Sequence, residues 1–148
     1  REIPFADFPA GYLASTLSPD EILTHIRVRK AGPTTGAALV EFNRRPADFA
    51  IVCVAAVLTS ADDGKIASAA LAIGGSYEAP IRLGSAEALL AGAQPADRIF
   101  AEASRLASNI ACNGDDVYPS AYRQELTGVL VGRALTLATA RMRITTHV

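Results

Sequence analysis

Glu41, Arg44, Arg45 and Asp48 stand within one short stretch, EFNRRPAD, directly ahead of the longest apolar run of the chain, Phe49 to Leu58. Charged groups at the mouth of a buried strand are held by the packing behind them, which is how loops present functional side chains. The same residues also allow a plainer role. Arg44 and Asp48 can form a solvated ion pair that caps a strand end, and such pairs contribute about 0–1 kcal/mol. Residue types alone leave both roles open. No general base or nucleophile is identifiable, so no catalytic residue is assigned. Metal chemistry finds no ligands either: His25 and His147 are far apart and lack companions at ligand spacing. Cys53 and Cys112 are too few for an iron–sulfur cluster, which takes four thiolates. Cys53 reads as a small core hydrophobe and Cys112 as a loop residue.

The elements that must position this elbow follow from the hydrophobic pattern. Phe49 to Leu58 is rich in valine and isoleucine and reads as a strand buried on both faces. Ala37 to Phe42 precedes it and Lys65 to Ile73 follows, the latter joined through Asp62, Asp63 and Gly64, a strong hairpin signal. Three antiparallel strands result. Gly74 and Gly75 end the third strand; a glycine pair without further glycines and a helix start is a weak phosphate signal and reads as a turn. Helices come after: a short one from Ser85 to Leu90 stopped by Gly92, one from Pro95 with Ile99, Ala103, Leu106 and Ile110 on one face, and a long one from Ala121 to about Met142. Tyr122, Leu126, Leu130, Ala134 and Leu137 mark its expected buried stripe, and Gly128 and Gly132 predict close approach of another backbone. The fold class is therefore α+β, a three-stranded antiparallel sheet followed by helices packed on one face.

Ahead of the sheet, residues 1–30 form a lead-in. Phe5, Phe8, Tyr12 and Leu13 are apolar anchors between turn residues and need a neighbour to pack on. Ser18, Pro19 and Glu21 spell a helix start, and Ile26 and Val28 alternate with His25, Arg27 and Arg29 as in a strand with one buried face. The chain has 148 residues, half of them hydrophobic, and a net charge of −1. That balance gives no electrostatic reason to expect nucleic acid or an anionic membrane as partner. No apolar run is long enough to span a membrane, and the N-terminus does not resemble a signal peptide, which points to a cytoplasmic location.

Four segments in order carry a family resemblance: PDEIL at Pro19–Leu23, EFNRRPADFAIV at Glu41–Val52, LAIGGSYEAPIRL at Leu71–Leu83, and SAYRQELTGVLVGRAL at Ser120–Leu135. Together they resemble the C-terminal part of the FAD-binding (medium) subunit of molybdenum hydroxylases, the group of carbon monoxide dehydrogenases and xanthine dehydrogenases. The resemblance implies that residues 1–30 are the tail of an incomplete FAD-binding domain and that 31–148 are the small α+β domain that follows it. It implies a role in electron transfer. A molybdenum-binding large subunit hydroxylates the substrate, iron–sulfur clusters on a small subunit carry the electrons, and FAD passes them to an acceptor. On this resemblance Leu23 lies beside the flavin through its backbone, while Glu41, Arg44, Arg45 and Asp48 approach its ring system. Relatives often carry lysine near Glu41 and glycine before the aspartate, where this chain has Pro46 and Ala47. The glycine-rich loops that hold FAD phosphates in the family have no counterpart here, so FAD is expected to be shared with an N-terminal FAD-binding segment or with a partner chain. The other class left open is a non-catalytic interaction domain that mediates subunit assembly.

Overall fold

A computed structural model describes residues 1–142, and the chain divides into two units, one of Arg1–Ala31 and one beginning at Gly32. His147 lies outside the described residues. In the first unit a 3-10 turn at Phe5–Asp7 leads into a small hairpin of β1 (Pro9–Gly11) and β2 (Ala14–Ser15). Glu21 does reach back to the Ser18 amide, at 2.8 Å, as the capping pattern predicts. The turn goes no further, and no helix forms. Arg1 occupies the same carboxylate at 2.7 Å and donates to the Thr16 carbonyl at 2.9 Å, tying both ends of the unit together. Leu23 to Lys30 has no ladder partner, contrary to the strand reading, and Ile26 and Val28 are both more than three-quarters exposed. Alternation makes a strand only where a neighbouring strand takes up the backbone hydrogen bonds and a second layer covers the apolar side chains.

The second unit is built on a four-stranded antiparallel sheet in the order β3 (Thr35–Asn43), β4 (Ala50–Ser60), β5 (Ile66–Gly74) and β6 (Ile81–Arg82). The three long strands are those expected; the two-residue β6, paired through Ala72 and Ile73, was not legible because it is shorter than any period. The Asp-Gly hairpin is as expected: Gly64 takes φ +79°, and the Asp63 carboxylate accepts the Lys65 amide at 3.1 Å. Three helices follow, α1 (Gly84–Leu90), α2 (Asp97–Ser108) and α3 (Ser120–Arg141). α3 lies on β3 and β4, α2 on α3, and α1 on β5 and α2.

Among the described residues of this unit, the helices cover one sheet face. Val52, Val54, Ala56 and Leu58 of β4 point to the helices and have no solvent exposure. They meet Leu130, Val131, Ala134, Leu135 and Ala138 of α3 in the core. Each fully buried aliphatic side chain contributes about 1.5–3 kcal/mol, far above any surface ion pair, so this layer holds the domain. The alternate residues Cys53, Ala55 and Val57 face away and are not fully buried, which corrects the reading of the run as buried on both faces. Phe49 lies outside the strand and is 92% exposed. The stripe of α3 is also rotated from the expected one: Tyr122 and Leu137 are exposed, while Thr127, Val131, Leu135 and Ala138 are buried. Two neighbours on adjacent sides set that stripe. A Cβ on Gly36 of β3 would strike the Ala138 carbonyl and lie 2.6 Å from the Met142 amide nitrogen. Cβ atoms on Gly128 and Gly132 would strike Ser108 and Ser104 of α2, so the two glycines do serve the close helix approach their spacing predicts.

α1 is latched to the sheet edge by one carboxylate. Glu87 Oε1 accepts the Leu71 amide at 2.8 Å and Arg82 Nε at 2.6 Å. Burial pushes the Glu87 carboxyl up, but the Arg82 and Leu71 hydrogen bonds outweigh it and hold it below the ordinary carboxylate range. Because its folded pKa is the lower one, its stabilisation is present above the unfolded value near 4.5 and is lost as pH falls through the folded value. Glu87→Gln should therefore flatten the acid limb of a stability–pH profile measured by urea unfolding below about pH 5; an unaltered limb would show that the latch is not formed in solution. Gly36→Val should cost about 3 kcal/mol by overpacking α3 against β3. A loss under about 1 kcal/mol in the same assay would mean that the helix does not approach the strand so closely.

Candidate functional site

The β3–β4 connection, residues 44–49, is the elbow singled out by the sequence. Its core is a turn in which the Asp48 amide donates to the Arg45 carbonyl at 3.1 Å, with Pro46 and Ala47 at the two central positions. Ala47 has φ +67°. Proline then a left-handed residue is the pattern of a turn that favours glycine at the second position, and an alanine there costs about 1 kcal/mol in Cβ crowding. Asp48 holds the turn from inside: its Oδ1 accepts the Phe49 amide at 3.0 Å and its carbonyl accepts Asn43 Nδ2 at 2.7 Å. The Arg44–Asp48 ion pair is not formed. Among the described residues neither Arg44 nor Arg45 joins any ion pair, and both are exposed. Two guanidiniums thus stand without carboxylate partners at the end of a rigid hairpin, next to an exposed phenylalanine.

Glu41 sits on β3 opposite Cys53 and faces away from the helices, in line with Leu39. Around it the uncovered sheet face is made of small or apolar side chains: Leu39, Cys53, Ala55, Val57, Ala70 and Ala72. Leu39 is 62% exposed. Cys53 is half-buried on this face rather than in the core; burial pushes its thiol pKa up, the Gly74 backbone pulls it down, and the Glu41 charge raises it again. Glu41, Arg44, Arg45 and Asp48 are therefore brought to one end of one hairpin. Leu23 belongs to the other unit, half exposed and in a segment without regular structure. Among the described residues no group of histidine, cysteine and carboxylate side chains could hold a metal.

What holds the base of the elbow was missed by the sequence reading. A bulge between Phe42 and Asn43 leaves Ile51 as the extra residue of β4, and its carbonyl accepts Arg123 Nη1 at 2.7 Å. The same nitrogen donates to the Gly75 carbonyl at 2.8 Å, Nη2 to Asp115 Oδ2 at 2.6 Å, and Nε to the Tyr118 carbonyl at 3.2 Å. Gly75 closes in from the other side. It has φ +84°, and a Cβ on it would lie 2.7 Å from the Ala50 carbonyl oxygen, so the glycine pair is packed against its own chain and is the strand-ending turn expected of it. The Tyr118 amide does most to hold the Asp115 carboxyl below its ordinary range; burial opposes it, and Arg123 and the Val117 amide add to the lowering. One signal pointed to Arg123. It lies in the first turn of α3, which carries no acidic residue; a cation there opposes the helix dipole, so its presence indicates use elsewhere.

Comparison with known proteins places this architecture. The CO dehydrogenase flavoprotein C-terminal domain family matches residues 37–138. The 6-hydroxypseudooxynicotine dehydrogenase complex subunit alpha of Paenarthrobacter nicotinovorans is 30% identical over 146 residues, covering 98% of this chain and 49% of the relative. The carbon monoxide dehydrogenase medium chain of Afipia carboxidovorans is 28% identical over 144 residues, covering 97% and 50%. Among solved structures, carbon monoxide dehydrogenase from Hydrogenophaga pseudoflava superposes with a TM-score of 0.84 at 27% identity, over 93% of this chain and 48% of that one. The chain thus spans about half the length of the curated relatives it matches. With an antiparallel sheet, helices on one of its faces and a family match over most of its length, this chain belongs to the CO dehydrogenase flavoprotein C-terminal domain family.

Proposed function

We propose that this chain supplies the ring-side half of an FAD site in a molybdenum hydroxylase, on the path by which electrons leave the enzyme. The observation that carries the reading is the pair of unpartnered arginines at the end of a sheet face that no helix covers. A flat, largely apolar ring fits against small side chains such as Ala55 and Ala72, and fixed positive charge at its edge favours an electron-rich ring. When bound, FAD accepts electrons from iron–sulfur clusters and passes them to an acceptor. Arg44 and Arg45 supply the charge, Leu39 and Ala55 exclude water, and Asp48 keeps the turn in shape through the Phe49 amide instead of touching the ring. Glu41 places a carboxylate on this face, which weakens that edge for an anion.

The same residues do not fit the phosphates. Gly74 is paired with Cys53 in the β4–β5 ladder, and Gly75 lies against the Ala50 and Ile51 carbonyl oxygens, acceptors that disfavour a phosphate beside it. The site is therefore half of one, completed by an N-terminal FAD-binding segment of the kind that the greater length of the relatives accommodates. The exposed Phe5, Tyr12 and Leu13 of the first unit supply apolar surface for such a neighbour. The molybdenum cofactor and iron–sulfur clusters belong to large and small partner subunits; the relatives named above are themselves a subunit of a dehydrogenase complex and a medium chain. Among the described residues no helix is long and apolar enough to cross a membrane.

Calorimetric titration of FAD into this chain should show no binding at or below about 1 μM, the equivalent of about −8 kcal/mol. Tighter binding would mean that a phosphate site exists here and that the half-site reading is wrong. In the assembled holoenzyme, Arg44→Glu should lower the flavin midpoint potential by on the order of 30 mV, since removing positive charge disfavours the reduced ring. An unchanged potential together with unchanged acceptor kinetics would remove the elbow from the electron path.

A further inference from the structure

We infer that Arg123 is a positioning residue for the elbow, setting where residues 44–49 leave the sheet and so the surroundings of a flavin ring held there; this rests on the flavin reading above. The bulge makes the inference necessary. Ile51 is the residue that the β3 ladder does not pair, and it is 7% exposed, so its carbonyl must find a donor within the protein. Arg123 provides it from a side chain only 11% exposed. The same Nη1 takes the Gly75 carbonyl, so the first turn of α3, the start of β4 and the end of β5 share one nitrogen. The other side of the guanidinium is fixed by Asp115 and the Tyr118 carbonyl, and its face lies 5.7 Å from the Tyr118 ring centre.

From Ile51 the constraint passes outward in short steps. Ala50 pairs with Asn43 across the hairpin, Asn43 holds the Asp48 carbonyl, and Asp48 closes the turn that carries Arg44 and Arg45. No contact in this series involves a long flexible side chain until the arginines themselves. Lysine at 123 keeps the charge but lacks the planar fork that serves several acceptors in fixed directions. It should therefore loosen the base of the elbow while retaining attraction to Asp115.

The test uses the assembled holoenzyme with FAD bound, comparing Arg123→Lys, Arg123→Met and Arg44→Glu, with Arg82→Met as a control for loss of a structural arginine. Amide hydrogen exchange, flavin midpoint potential and acceptor kinetics are read on each. In Arg123→Lys the amides of residues 43–50 should exchange about tenfold faster while those of 54–58 stay protected, and the potential should move in the same direction as in Arg44→Glu. Arg82→Met should do neither. Should Arg123→Met not assemble, Arg123→Lys carries the comparison alone. Protection of 43–50 equal to that in Arg82→Met overturns the positioning role. A potential that moves in Arg44→Glu but not in Arg123→Lys also overturns that role, and leaves the flavin reading standing. A potential and acceptor kinetics unmoved in both overturn the flavin reading and the positioning role with it.

Discussion

One guanidinium ties this domain together where its layers meet. A β-bulge at the start of β4 frees a carbonyl that has no place in the ladder, and the chain turns away from β5 just opposite through a left-handed glycine. The Ile51 carbonyl is inside the protein, where an unpaired acceptor costs about 1–3 kcal/mol. A single planar donor removes that cost and takes the more exposed Gly75 carbonyl as well, and it comes from the helix that covers the sheet. The helix, the loop before it and both strand ends are consequently joined through one side chain. The arginine is tolerated in the first turn of α3 because its charged hydrogen bond to the buried Ile51 carbonyl, worth about 1.5–3 kcal/mol, exceeds the opposing helix-dipole effect of about 0.3–1 kcal/mol.

Around that point the packing relies on absent side chains. Gly36 lets α3 approach β3, Gly128 and Gly132 let α2 approach α3, and Gly75 lets the end of β5 approach the start of β4. Each removes a Cβ that would meet backbone or a short hydroxyl. The helices are drawn close over one face, and the opposite face carries small and apolar residues that no described helix of this unit touches. A sheet so built commits one side to its own core. The β3–β4 hairpin carries the charged elbow at the end of the opposite side.

The elbow itself carries strain. Ala47 occupies a conformation that glycine adopts at no cost, and Pro46 before it narrows the chain's freedom further. Such a turn persists only where its surroundings over-determine it, here through Asn43, Asp48 and the bulge below. The reward is that Arg44 and Arg45 project from a fixed base without a carboxylate to neutralise them. On a mobile loop the same two residues would be a diffuse positive charge, screened within about 8 Å at physiological salt.

The three long strands, the Asp-Gly hairpin, the helices and the α+β order were all legible in the amino-acid sequence, since each is a local pattern of period, turn residue or breaker. So was the place of the elbow, because charge next to an apolar run is a one-dimensional feature. What covers an apolar face is not local. Nothing in Phe49 to Leu58 says that only Val52, Val54, Ala56 and Leu58 meet helices, and nothing in Ile26 and Val28 says that they lack a strand beside them. Those outcomes depend on which other elements exist to pack there. The ion pair between Arg44 and Asp48 looked equally available in sequence, yet the turn closes by giving the Asp48 carboxylate to the next amide, a choice made by backbone geometry. Arg123 shows the limit most plainly: its partners lie 72 residues away at Ile51 and 48 away at Gly75. The sequence by itself determined the three long strands, the helices after them and their order, because those follow from neighbours along the chain; only the tertiary structure decided that Leu23 to Lys30 pairs with nothing, which face the helices cover and which arginine holds the base of the elbow, because these depend on contacts between residues that the chain keeps far apart.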